Sequence, residues 1–155
     1  MKTISQYILV TIVSVEFVII LLALAFIFVW PDIITSVSSL LGDSSDVLKH
    51  IALIPSALAI WVFSESRKLL FPDEDQNKIL QKWDDYWKWR IHFNVGIFYA
   101  LIFAAAGLIA WAMGAKVNNP IGFVILLSTV VGSLVVAFSV YMARITLSEI
   151  LIDAK

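Results

Sequence analysis

Glu16 is the one charged residue in a largely apolar run from Ile8 to Trp30. If that run is a membrane-spanning helix, Glu16 lies about nine residues inside it. At about 1.5 Å per residue that is roughly 13 Å deep, near the bilayer midplane. An ionised carboxylate there costs a few kcal/mol or more, so such residues usually face a bundle interior or water and serve ion or proton pathways. A protonated carboxyl donating a hydrogen bond to a neighbouring helix explains the same residue as a packing device. Counting the same depth on the other apolar runs reaches Pro55 and Ser56 in one, and Gly132 and Ser133 in another. The sequence therefore predicts a polar midplane cluster of Glu16, Ser56, Thr129 and Ser133. Pro55 adds to it by freeing a backbone carbonyl on the preceding turn.

Other chemistry is harder to build. Asp73, Asp75, Asn77 and Asp84 occupy the first, third, fifth and twelfth places of a calcium-binding loop, but the sixth place holds Lys78 where the sharp turn demands glycine. The twelfth place is also an aspartate rather than the longer bidentate glutamate. His50 and His92 fall beside opposite boundaries of the apolar layer, too far apart to share a metal. There is no HExxH, no GxSxG and no glycine-rich phosphate loop, so nothing argues for hydrolysis or phosphoryl transfer. One intramembrane acid is too few for a catalytic pair. The reading is a chain with no catalytic residue, no cofactor and no metal site. With no cysteine, disulfides and thiolate metal sites are excluded.

The elements that would position these residues follow from composition. Of 155 residues, 61% are hydrophobic and 15% charged, with a mean hydropathy of +0.92. A soluble domain of this size cannot hide that much apolar surface. Apolar runs of about 20 residues, the length that crosses roughly 30 Å of hydrocarbon, predict spans over 8–30, 93–113 and 121–142. A fourth, 47–65, is interrupted by Lys49, His50, Pro55 and Ser56, and charge placement makes it necessary. In a four-span topology nine of the 11 Lys and Arg fall on one side, with only Lys49 and Lys116 on the other. That asymmetry places the loop 66–92 and both termini in the cytoplasm of a plasma (inner) membrane protein. The first apolar run exceeds the length of a signal-peptide core and reads as a retained helix. The fold expected is all-α: a single domain over 1–155, four transmembrane helices, and a cytoplasmic amphipathic helix at the interface.

That amphipathic helix is the most informative segment. Pro72 with Asp73, Glu74 and Asp75 opens a helix, and Lys82, Lys88 and Arg90 gather at its other end. Ile79, Leu80, Trp83, Tyr86 and Trp87 recur at helical spacing along one face. Lys82, Trp83, Tyr86, Trp87, Trp89 and Arg90 thus form the expected interface to anionic lipid headgroups or to a protein partner. So close to a membrane entry, this mix of basic and aromatic residues fits lipid better than nucleic acid. Gly96, Ala100 and Ala104 form a small-residue stripe, and Ser128 and Gly132 repeat the interval on the next run, which lets helix backbones approach closely. Packing within the subunit is preferred over packing between subunits. Together these features point to a non-enzymatic, homo-oligomeric membrane subunit that holds or senses a cytoplasmic protein through 65–92. Small four-span proteins of this architecture often serve bacterial immunity, exclusion or phage-defence systems, an analogy of architecture alone. The alternative is an ion- or proton-conducting oligomer with Glu16 lining the path.

Overall fold

The computed structural model describes residues 14–40, 45–71, 80, 83, 86–112 and 120–153. They form six helices: α1 (Val15–Val29), α2 (Pro31–Leu40), α3 (Ser45–Ala52), α4 (Ile54–Leu70), α5 (Tyr86–Ala112) and α6 (Pro120–Asp153). No strand occurs among the described residues. Among the described residues three stretches are long and apolar enough to cross a membrane: Val47–Lys68, Tyr86–Ala112 and Ile121–Ile150. Large apolar side chains such as Phe28, Ile60, Leu101 and Phe138 stand exposed on the outer faces of the helices. In water this would be an aggregating surface; in a bilayer it is the lipid-facing one.

The first span differs from its sequence expectation. The helix begins at Val15, because Ser14 adopts an extended backbone and its hydroxyl accepts the N–H of Phe17, a side-chain N-cap. The 15 residues of α1 reach only about 22 Å at 1.5 Å per residue, and residues 1–13 lie outside the described residues. Its other end stops before Pro31 as expected, and α2 starts there at once. The second span is a broken helix. Proline at 55 cannot donate to Ile51, so the chain makes a tight turn at Leu53, whose carbonyl accepts from Ser56 and Ala57. Beyond the break α4 runs on to Leu70, past the expected boundary at residue 65.

α4, α5 and α6 form the centre of the bundle, and α1 leans mainly on α6. α5 is antiparallel to the other two. Gly107 faces Ala52 and Pro55, Phe103 faces Gly132, and Gly96 faces Val136 and Val140. α6 is one continuous helix of 34 residues, about 51 Å, so it extends well past the hydrocarbon layer of a bilayer and past the expected boundary at residue 142. The main core gathers Val62, Phe93, Tyr99, Phe103, Val136 and Leu147, and a smaller one joins Leu48, Ala52 and Leu126 near the α3 end.

The small-residue stripe lies inside this bundle. Gly96, Ala100 and Ala104 are buried, as is Gly132, with Ser128 half-buried and its hydroxyl turned back to Val124 O at 2.6 Å. At Gly107 a Cβ would come within 2.7 Å of the Ala52 carbonyl, a backbone group that the break at Leu53 leaves beside α5. The close approach is therefore between α5 and the kink, a contact that only glycine admits.

Candidate functional site

Two groups of polar side chains stand out from this apolar bundle. The first is the expected midplane set. Glu16 is buried in the first turn of α1, where free backbone N–H groups suit a carboxylate. It makes no hydrogen bond or ion pair with a described residue. Thr129 and Ser133 are also buried, but their hydroxyls donate to carbonyls of their own helix, Leu126 and Val130, at 2.8 Å each. The Ser56 hydroxyl is buried with no hydrogen-bond partner among the described residues. The four residues are individually sequestered, and no hydrogen bond joins them. A hydroxyl in a helix within an apolar medium is best satisfied by the carbonyl three or four residues back, which is always in reach.

The second group lies at the opposite end of α4 from the kink. Glu65 is buried, its side chain only 8% exposed, and two cations converge on it. Lys68 Nζ donates to Oε1 at 2.8 Å. Arg144 of α6 brings Nη1 to 3.0 Å from Oε2, off the hydrogen-bond direction, so that contact is an ion pair without a hydrogen bond. The next residue, Ser66, is fully buried and its hydroxyl is also unpartnered among the described residues. Burying a carboxylate is tolerable here because two cations offset the lost hydration. In the sequence Glu65 closes the interrupted apolar run and Arg144 is one of the nine cations on one side of the topology; nothing local signals their pairing across 79 positions, although the three-residue spacing of Val62 and Glu65 puts Glu65 on the inward stripe of α4.

The aromatic segment beside this group divides in two. Leu80 and Tyr86 are buried, and Trp83 and Trp89 pack against the main core. Trp83, Trp89 and Phe93 form a run of rings with centroids 6.1 and 6.3 Å apart. Trp83 N donates to Leu80 O, and Tyr86 N to Trp83 O, which ties Trp83 to the start of α5. Trp87, Lys88 and Arg90 are exposed, with Lys88 Nζ 5.9 Å from the Trp87 ring centroid. The apolar face read from the sequence is thus partly consumed by the chain's own core. Lys82 and the calcium-loop positions 73–78 and 84 lie outside the described residues.

His92 does not stand alone. Its Nε2 lies 2.9 Å from Ser139 Oγ, a polar link between α5 and α6 close to the aromatic run. Among the described residues no three His, Cys, Asp or Glu converge as a metal site.

No family model matches this chain, and no curated protein or solved structure does either. The chemistry of the site has to be argued from its own geometry. Glu65, Lys68 and Arg144 form a charged clasp between α4 and α6, and Trp87, Lys88 and Arg90 form an exposed basic and aromatic edge at the start of α5. A clasp of this kind can hold two helices in register and present cations at the end of an apolar bundle.

Proposed function

We propose that this protein is a non-enzymatic, homo-oligomeric membrane subunit that acts as a scaffold or sensor, holding a cytoplasmic protein through the segment 65–92. In this reading the apolar run 8–30, to which α1 belongs, supplies the fourth span. Both termini and the Glu65 end of the bundle then face the cytoplasm of a plasma membrane, as the distribution of Lys and Arg requires.

The observation that carries the reading is the exposed edge of Trp87, Lys88 and Arg90 at the very end of an otherwise lipid-facing bundle. Tryptophan and arginine are the residue types most enriched at the centres of protein interfaces. Their neighbours Trp83 and Trp89 are committed to the core, so the edge is held on a rigid helix rather than on a loose loop.

Co-purification from native membranes tests it. The double variant Trp87→Ala/Arg90→Ala releases a stoichiometric cytoplasmic protein, while the unfolding midpoint of the subunit stays unchanged because both side chains are exposed. Retention of every cytoplasmic partner by that variant, or a wild-type complex containing no second protein, would sink the reading.

A further inference from the structure

Two stripes of side chains face each other along the seam of α4 and α6. On α4, Leu58, Trp61, Glu65 and Lys68 follow at intervals of three, four and three residues; on α6, Ala137, Tyr141 and Arg144 follow at four and three. Both stripes run in the same direction, because Leu58 and Trp61 line one open apolar groove with Ala137 and Tyr141 while Glu65 meets Arg144 beyond it. The seam therefore begins as a greasy channel on the lipid-facing side and ends in two cations around one carboxylate.

We propose that this seam binds one anionic phospholipid of the bilayer, with an acyl chain along the groove and the phosphate held by Arg144 and Lys68. The charge arrangement favours an anion. Glu65 lies beneath, whereas Lys68 and Arg144 are 63% and 51% exposed, so the surface presented outward is cationic. Arginine's fork offers five N–H donors, and Glu65 lies against Nη1 alone without accepting a hydrogen bond from it, so the fork keeps donors for a phosphate. Depth fits as well. From Trp61 to Lys68 is about 10 Å of helix rise and from Tyr141 to Arg144 about 4.5 Å, so both cations sit beyond the amphipathic rings of Trp61 and Tyr141, on the headgroup side of them. A zwitterionic lipid would bring its own cation to the same place and lose most of the attraction.

This inference does not depend on the partner-holding reading. Loss of lipid preference with the partner retained, or the reverse, separates the two.

The test uses the full chain in a mild maltoside detergent, titrated with phosphatidylglycerol or phosphatidylcholine and read by native mass spectrometry. One phosphatidylglycerol is retained in preference to phosphatidylcholine. Arg144→Gln and Lys68→Gln each lower the apparent affinity roughly fivefold, as expected for removing one basic residue near a lipid phosphate. Glu65→Gln raises it, a gain that misfolding cannot produce, and Lys49→Gln at the far end of the bundle leaves it unchanged. Glycerol 3-phosphate supplied alone does not compete, because the groove contributes through the chain. Equal retention of the two lipids, undiminished binding by Arg144→Gln and Lys68→Gln, a fall with Glu65→Gln, or full competition by glycerol 3-phosphate would overturn the proposal.

Discussion

The ring of Phe103 occupies the space where Gly132 has no side chain: a Cβ built on Gly132 would lie 2.3 Å from Phe103 Cζ and 2.6 Å from two further ring atoms. The ring is also stacked against Tyr99, with centroids 6.3 Å apart, so it has no easy route out. This contact sets how closely α5 and α6 approach in the middle of the bundle. Lipid tails are as apolar as the core, so close packing rather than water exclusion must hold the two helices together.

Gly132→Ala is therefore expected to destabilise the bundle by about 1–3 kcal/mol, the usual cost of overpacking. Gly96→Ala provides the contrast. Its Cβ would meet Val140 and Val136 at 3.8 and 3.9 Å, ordinary van der Waals distances. There the better helix propensity of alanine should leave stability unchanged or raise it by about 0.4–1 kcal/mol. Unfolding midpoints in detergent check both, and Phe103→Leu should restore much of what Gly132→Ala loses. Equal effects at 96 and 132 would mean that the ring contact does not limit the approach.

What the sequence makes legible is what is local. Hydropathy alone locates the cores of α5 and α6, and four-residue spacing marks Gly96, Ala100 and Ala104 as one stripe, three residues that the structure buries. Periodicity also put Leu80, Trp83 and Tyr86 on one face, but it could not say whether that face meets lipid, a partner or the chain itself. The fold turns it mostly inward because α4 and α6 extend beyond the apolar layer and offer core positions such as Leu147 for it to cover. Depth along each helix groups Glu16, Ser56, Thr129 and Ser133 by level only, whereas a helical hydroxyl finds its own backbone before it finds a side chain on another helix. The Glu65 and Arg144 pair escaped because a long-range ion pair has no sequence period to betray it.

Glu16 discriminates between a structural acid and a conducting one. Its place in the first turn of α1, with Thr129 and Ser133 satisfied within α6, supports a structural role. Glu16→Gln should then lower stability by only about 0.3–1 kcal/mol, the worth of a negative charge near a helix N-terminus, and leave ion flux into proteoliposomes at background. A wild-type flux under an applied potential that disappears in Glu16→Gln would instead favour the oligomeric conducting path.

The ion pair between Glu65 and Arg144 makes a third prediction, because its partners differ in exposure. Arg144 reaches solvent or headgroups with half of its side chain, so on its own it can be rehydrated; Glu65 cannot. Arg144→Gln should consequently cost about 1–3 kcal/mol, mostly as the penalty of leaving a buried carboxylate with Lys68 alone. Replacing both, as Glu65→Gln/Arg144→Gln, removes the charge that needed compensation and should recover most of that loss. The double-mutant cycle is then expected to return a coupling of about 1 kcal/mol or more, measured from detergent unfolding at low salt. Adding salt should diminish the coupling only slightly, since Debye screening acts weakly on a contact whose acidic side is buried. A coupling near zero would show that the two side chains are merely adjacent, and that the register of α4 against α6 is set by Val62, Val136 and Leu147 without help from charge.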